Sequence, residues 1–243
     1  LPKGSFVVVF GDTGMEFPDT YDVIKKTKQQ CVEDEIPFYI AKSHLNPKES
    51  WNLFGPPSRV LRWCCSVHKS TPQTLKLREI TGKNDYKGLA FVGVRAQESA
   101  TRAEYEYENY GKKVKGQYDF YPILEWTSAE VFLYVFANDV TINETYKKGN
   151  SRAGCLVCPM SGGQSEYMRH VLYPEAVNQY FGLIRDTSDK SFADERFRDF
   201  MNRGAWKSRA DGRFVEGTTQ KYHEETDDGK TLITITNPSS DWR

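Results

Sequence analysis

Near the start of the chain stand five consecutive β-branched or aromatic residues, Phe6-Val7-Val8-Val9-Phe10. A strand that is apolar on both faces belongs in a sheet covered on both sides, the usual setting of parallel strands in α/β proteins. The run gives way to Gly11-Asp12-Thr13-Gly14, after which a helix is expected from about Asp19 to Asp34. Pro37 restarts the chain, and Phe38-Tyr39-Ile40-Ala41 reads as the next strand. Asn46 to Arg59, with Pro47, Gly55, Pro56 and Pro57, reads as a loop.

Ser70 as N-cap and Pro72 in the first turn place a helix up to about Ile80, stopped by Gly82. Gly88 to Val94 is a third strand and Tyr121 to Leu124 a fourth. Thr127 followed by Glu130 makes a capping box, and the helix behind it carries Val131, Phe132, Val135 and Phe136 on one face. Strands alternating with helices predict an α/β fold: an open, mostly parallel sheet with helices on both faces, Rossmann-like. Ligands of such sheets sit beyond the carboxyl ends of the strands, where Asp12-Thr13-Gly14 and Gly93-Val94-Arg95 fall. Residues 174–206 read as helical. From Gly212 the chain alternates in β fashion, with Asp227-Asp228-Gly229-Lys230 as a hairpin turn and Thr231 to Thr236 as a strand. The expected organisation is a main domain over 1–173 and a small helical and β C-terminal extension over 174–243.

Lysine plus arginine and aspartate plus glutamate are equal at 33 each, so no global charge draws the chain to nucleic acid or to a membrane surface. No apolar run approaches the roughly 18 residues that span a bilayer. Leu1 to Phe10 lacks the basic start and cleavage site of a secretory signal. A cytoplasmic setting without a membrane partner is therefore expected, and there cysteines serve as metal ligands or reactive thiols more often than as disulfides.

The five cysteines carry the sharpest chemical signal. Cys64 and Cys65 are adjacent, and Cys155 and Cys158 form a C-x-x-C pair. Thiolates so spaced can converge on one soft metal centre. Arg62, His68 and Lys69 flank the first pair and Arg152 precedes the second, a cationic setting suited to an anionic iron–sulfur centre. Gly154 would let backbone pass close to it, and Pro159 follows the last ligand. A [4Fe–4S] cluster is the expected cofactor. Structural zinc on the same ligands is the alternative, although zinc sites usually use two C-x-x-C knuckles. Cys31, inside the first helix, reads as a small core residue.

The segment Arg62-Trp63-Cys64-Cys65-Ser66-Val67-His68-Lys69, with Gly154-Cys155-Leu156-Val157-Cys158 far downstream, resembles the sulfonucleotide (APS/PAPS) reductase family in its cluster-bearing branch. Asp12-Thr13-Gly14-Met15-Glu16-Phe17-Pro18-Asp19-Thr20 is similar to that family's D-T-G-x-x-F-P-E-T adenosine loop. Gly93-Val94-Arg95-Ala96-Gln97-Glu98-Ser99 with Arg102, and Pro122 to Thr127 with Glu130-Val131, resemble two further motifs in the family's order. The resemblance covers about residues 5–165 and implies an adenine nucleotide alpha-hydrolase-like fold. It also implies that Asp12, Thr13 and Gly14 lie against the adenosine of an adenine nucleotide or sulfonucleotide. Arg95 and Arg102 would face its phosphate or sulfate end, with Glu98 holding one arginine in place.

Two departures from the family pattern stand out. Its Ser-Gly-Gly-x-Asp-Ser phosphate loop would precede the first strand seen here, so a longer polypeptide is expected. Ser161-Gly162-Gly163-Gln164-Ser165 looks like that loop but lacks its aspartate and follows a cysteine knuckle, so it reads as the cap of the next helix. The family's nucleophilic cysteine lies in a C-terminal tail, whereas no cysteine follows Cys158 and Asn237 to Arg243 hold no such group. No catalytic residue is therefore assigned.

The resemblance implies reduction of adenylylated sulfate to sulfite and an adenine nucleotide, with a thioredoxin-like reductant. The alternatives are an ATP-dependent enzyme inserting sulfur into nucleic acid, of DNA phosphorothioation or tRNA thiolation type, and a non-catalytic nucleotide-binding or redox-sensing module. Trp206, Lys207, Arg209 and Arg213 read as a solvated basic face, with nucleic-acid contact as the other option. His44, His170 and His223 have no ligand spacing.

Overall fold

The computed structural model describes residues 2, 4–59, 61–110, 116–187, 194–202, 204–207, 222–227 and 230–235. The chain divides into two compact units. One comprises Leu1–Asp12, Pro18–Lys42 and Lys69–Glu144; the other comprises Thr13–Phe17, Ser43–His68 and Thr145–Arg243.

The first unit is α/β, as the alternation predicts. β1 (Val8–Asp12) pairs in parallel with β2 (Phe38–Lys42), in register from Val8 opposite Phe38 to Asp12 opposite Lys42. β1 starts two residues later than Phe6 because the ladder opens with Val8 N–H donating to the carbonyl of Pro37, which has no N–H to extend it. α1 (Pro18–Glu33) connects the two strands and buries Cys31. β3 (Gly88–Phe91) pairs in parallel with β5 (Gln117–Phe120), and β4 (Glu108–Tyr110) joins β5 antiparallel, in the order β3-β5-β4. The strand expected over Tyr121–Leu124 thus lies just upstream. Tyr121 to Leu124 turns instead, closed by Leu124 N–H on the Tyr121 carbonyl at 3.2 Å. β4 follows no alternation strong enough to predict.

The cap signals at Thr127 and Gly82 hold, whereas Ser70 is itself helical and makes no side-chain cap bond. In α6 (Ser128–Ala137), Thr127 accepts from Glu130 N–H while the Glu130 carboxylate accepts from Thr127 N–H at 2.7 Å. Gly82 ends α4 (Thr71–Thr81) in the left-handed region at φ 66°, which a β-carbon would disfavour. That helical stretch begins earlier than Ser70, however. A turn of helix α3 (Trp63–Cys65) runs through a π-helical segment, Ser66–Ser70, into α4. Both cysteines of the first pair therefore sit in a first helical turn.

The second unit is built from segments distant in sequence. The span read as a loop contains α2 (Pro47–Phe54), with Asn46 capping Lys48 N–H at 2.9 Å and Pro47 at the first position. Three prolines and a glycine nearby masked this N-cap–proline signature. α2 packs on α9 (Pro174–Thr187), so that Trp51 meets Tyr180 at 5.0 Å and Trp206 at 6.4 Å between ring centroids. Met15, Phe17, Leu156, Val157, Tyr173, Val177, Ile184 and Phe200 complete this core. α9 and α10 (Asp194–Asn202) give the helical character expected after residue 173, and α8 (Gly163–Leu172) precedes them. β6 (Tyr222–Asp227) and β7 (Lys230–Ile235) pair as the expected hairpin.

Trp206 and Lys207 are not a solvated face: they are 0% and 4% exposed, in a short 3-10 turn packed into this core. Arg209 and Arg213 lie outside the described residues. Replacing Trp206 by alanine should therefore lower stability by about 3–5 kcal/mol, the cost of truncating a buried aromatic. Urea unfolding followed by circular dichroism measures this, and a loss within the roughly 0.5 kcal/mol of a surface change would contradict the packing.

Candidate functional site

The D-T-G segment and the second cysteine pair meet through main chain. Glu16 and Cys155 form an antiparallel bridge, and Leu156 N–H donates to the Met15 carbonyl at 2.7 Å. Phe17 and Leu156, both buried, seal this contact in the core. The Thr13 hydroxyl donates to Glu16 Oε1 at 2.8 Å, accepts from Met15 N–H, and lies 3.9 Å from Cys155 Sγ. Gly14 has φ 69°, and a β-carbon there would stand 2.8 Å from the Pro47 ring. The segment's own folding thus demands glycine. A β-carbon on Gly154 would meet nothing within 4 Å, so no protein neighbour requires glycine at that position.

Cys64 and Cys155 are partly buried against the same core, Cys158 is half-buried, and Cys65 is exposed. The Cys64 thiol is held far above its ordinary range, first by a hydrogen bond with Cys65, then by burial, then by the charges of Cys65, Cys155 and Cys158. Cys65, Cys155 and Cys158 thus all stand close enough to act on Cys64, and neighbouring thiolates repel unless a cation joins them. Among the described residues, no three His, Cys, Asp or Glu side chains already stand as a preassembled metal-ion group. As donors the four thiols suit a soft metal centre.

The flanking residues divide. Arg62, Lys69 and Arg152 are exposed. His68 is buried at 1% exposure, its Nε2 lies 3.0 Å from Ser50 Oγ, and its ring faces Trp63 at 6.1 Å. Ser50 gives its one hydroxyl proton to the Asn46 carbonyl, so His68 carries its proton on Nε2 and donates to Ser50. Burial lowers the His68 pKa, so this residue supplies no positive charge near neutral pH.

Sequence reasoning missed two buried cations. Arg169 of α8 is 7% exposed and its Nη1 donates to the carbonyls of Cys155 at 3.2 Å and Leu156 at 3.3 Å. Lys207 pairs with Glu166 and has Nζ 3.5 Å from the Ser161 carbonyl. Neither position carries a pattern that marks it, because burial of a basic side chain is set by distant partners. The Ser161-Gly162-Gly163 segment does start a helix, but with Gly162 as an N-cap that lacks a side-chain bond.

In the other unit, Asp12 at the end of β1 accepts from the Tyr21 hydroxyl at 2.9 Å and pairs with Lys42 at 3.2 Å. Beyond β3, Arg95 Nη1 donates to Gln97 Oε1 at 3.3 Å and to Ser128 Oγ at 3.1 Å. Glu98 forms a close ion pair with Arg102, and its other oxygen lies 4.0 Å from Arg95. Glu98 therefore holds both arginines rather than one, and two guanidinium charges face one carboxylate. Val94, Tyr121 and Leu124 form the small core behind this loop.

Parallel strand pairs with helical connections define an α/β protein of Rossmann-like class. Residues 2–161 match the phosphoadenosine phosphosulfate reductase domain, and the chain belongs to that family. It is 34% identical over 205 residues to an uncharacterised protein of Methanocaldococcus jannaschii, covering 82% of this chain and 45% of that protein. It is 31% identical over 154 residues to adenosine 5′-phosphosulfate reductase of Geobacillus thermodenitrificans, covering 62% of this chain and 61% of the enzyme. A crystal structure of phosphoadenylyl-sulfate (PAPS) reductase from Candida auris overlays with a TM-score of 0.43 at 21% identity, over 60% of this chain and 68% of that one. The chain thus spans about half the length of the first relative. Among the described residues no helix is long and apolar enough to cross a membrane.

The buried neutral His68 makes a pH prediction. Its folded pKa lies below the ordinary 6.5, so below that pH the unfolded chain takes up a proton that the native chain refuses. Stability is fully present above about 6.5 and falls as pH drops toward the lowered folded value. His68→Gln should lose less stability than the parent between about pH 7 and 5 in urea titrations, and parallel losses would place His68 in contact with water.

Proposed function

We propose that Cys64, Cys65, Cys155 and Cys158 hold a [4Fe–4S] cluster in an enzyme of sulfonucleotide-reductase type. It would convert adenosine phosphosulfate, or its 3′-phosphorylated form, to sulfite and an adenine nucleotide. The observation that carries the reading is that Cys64 and Cys155, distant in sequence, pack against one core with Cys65 and Cys158 near Cys64, in a chain of this family. In the reaction a thiolate attacks the sulfate sulfur, the bond to the adenylyl phosphate oxygen breaks, and the nucleotide leaves. A second thiol then displaces sulfite, and the resulting disulfide is reduced by a thioredoxin-like partner. The cluster would contribute electrostatic orientation of the sulfate group. Asp12, Thr13 and Gly14 serve the adenosine in this reading, and Arg95 with Arg102 serves the anionic end.

A second reading needs no attacking thiolate beyond the four proposed ligands and Cys31, which is buried in α1. In it, the chain is an ATP-dependent enzyme that inserts sulfur into nucleic acid. Protein purified without oxygen should carry about four irons per chain, lost in Cys155→Ser. Stoichiometric zinc with no iron would overturn the cluster. Given adenosine phosphosulfate and a dithiol, the complete protein should release sulfite. Release of AMP from ATP only when DNA or tRNA is added, without sulfite, would decide for the second reading.

Arg95→Lys and Arg102→Lys test the anion site. Lysine keeps the charge but loses the paired donation, where each charge-assisted bond is worth about 1.5–3 kcal/mol. Calorimetry of the complete protein should show affinity for adenosine phosphosulfate falling several-fold or more, with adenosine little changed. Parent-like binding of both ligands would remove the arginines from the site.

A further inference from the structure

We propose that Arg169 is the buried counter-cation of the metal–thiolate centre and the positioning residue of the Cys155–Cys158 turn. The inference rests on the cluster reading above and adds a residue of α8 that lies beyond the matched family domain. Arg169 is 7% exposed, yet among the described residues it has no carboxylate partner, and its Nε is buried without a hydrogen bond. Its Nη1 is spent on two neutral carbonyls, those of Cys155 and Leu156. Its guanidinium lies over the Phe17 ring, 5.5 Å from the centroid. The nearest acid on its own helix, Glu166, is already paired with Lys207.

A guanidinium taken out of water with no anion is strongly unfavourable and is retained only where negative charge compensates it. The anionic groups within reach are Glu166 and the sulfurs of the Cys155–Cys158 turn, on whose backbone the guanidinium donates. Arg169 and Cys158 also line one small cavity of about 10 Å³, room for about one water molecule. Four thiolates around a four-iron core leave the assembly negative, and reduction by one electron makes it more so. A fixed positive charge beside Cys155 and Cys158 therefore stabilises the bound centre, and its reduced form most. The two carbonyl bonds hold the backbone turn that presents both sulfurs, the role that outer hydrogen bonds play at metal sites.

Arg169→Met and Arg169→Lys, in protein purified without oxygen, test this through iron content, resistance to a chelator and the midpoint potential from redox titration with electron paramagnetic resonance. Methionine removes the charge at similar size, so the midpoint should move to more negative potential. Lysine keeps the charge but loses the fork, so its midpoint should stay near the parent's while iron is lost to chelator several-fold faster. A Met variant with the parent's iron content and midpoint would overturn the proposal. Should that variant fail to fold, a Lys variant that loses iron no faster than the parent would do the same. If the parent itself binds no iron, the cluster reading fails and this inference with it, an outcome read on the parent alone.

Discussion

The arrangement depends on one main-chain contact, the bridge between Glu16 and Cys155 with its Met15–Leu156 bond. It joins stretches about 140 residues apart, so forming it closes a long loop at an entropic cost. That cost is offset by the core around it, where Phe17 meets Tyr173 and Trp51 meets Tyr180 and Trp206. Once the bridge is made, the motif that resembles an adenosine loop and the C-x-x-C pair share one piece of backbone. Thr13 then stands beside Cys155 as a consequence.

Charge is handled differently in the two units. In the unit with the two cysteine pairs, Cys64, Cys155, Arg169 and the Lys207–Glu166 pair are drawn into or against an apolar core. Interactions are strong in such surroundings and unpaired groups such as Arg169 Nε are costly. In the other unit, Arg95, Glu98 and Arg102 are only partly buried, and the carboxylate divides between the two guanidinium groups. Such a cluster can exchange a contact for an incoming anion at small cost.

Local signals were legible wherever they act within a few residues. The Thr127 cap, the Gly82 stop, the strand over Phe38–Ala41 and the strand starting at Lys230 follow from dihedral preference, capping and strand patterning. The helix Pro47–Phe54 was also written in its Asn46-Pro47 start, though surrounding prolines masked it. β4 was not, because three residues of an edge strand show no period.

Taken alone, the sequence determined the fold class, the four-cysteine set and the motif order of the reductase family, because strand and helix periods, cap residues and motif spacings are local properties. Tertiary structure alone decided which charged and aromatic residues are buried. His68 flanks the cysteines as a neutral donor to Ser50, Trp206 and Lys207 enter the core, and Arg169 reaches the Cys155 carbonyl. The physical reason is that burial and charge state are set by partners far away along the chain, and no residue carries those in its neighbours.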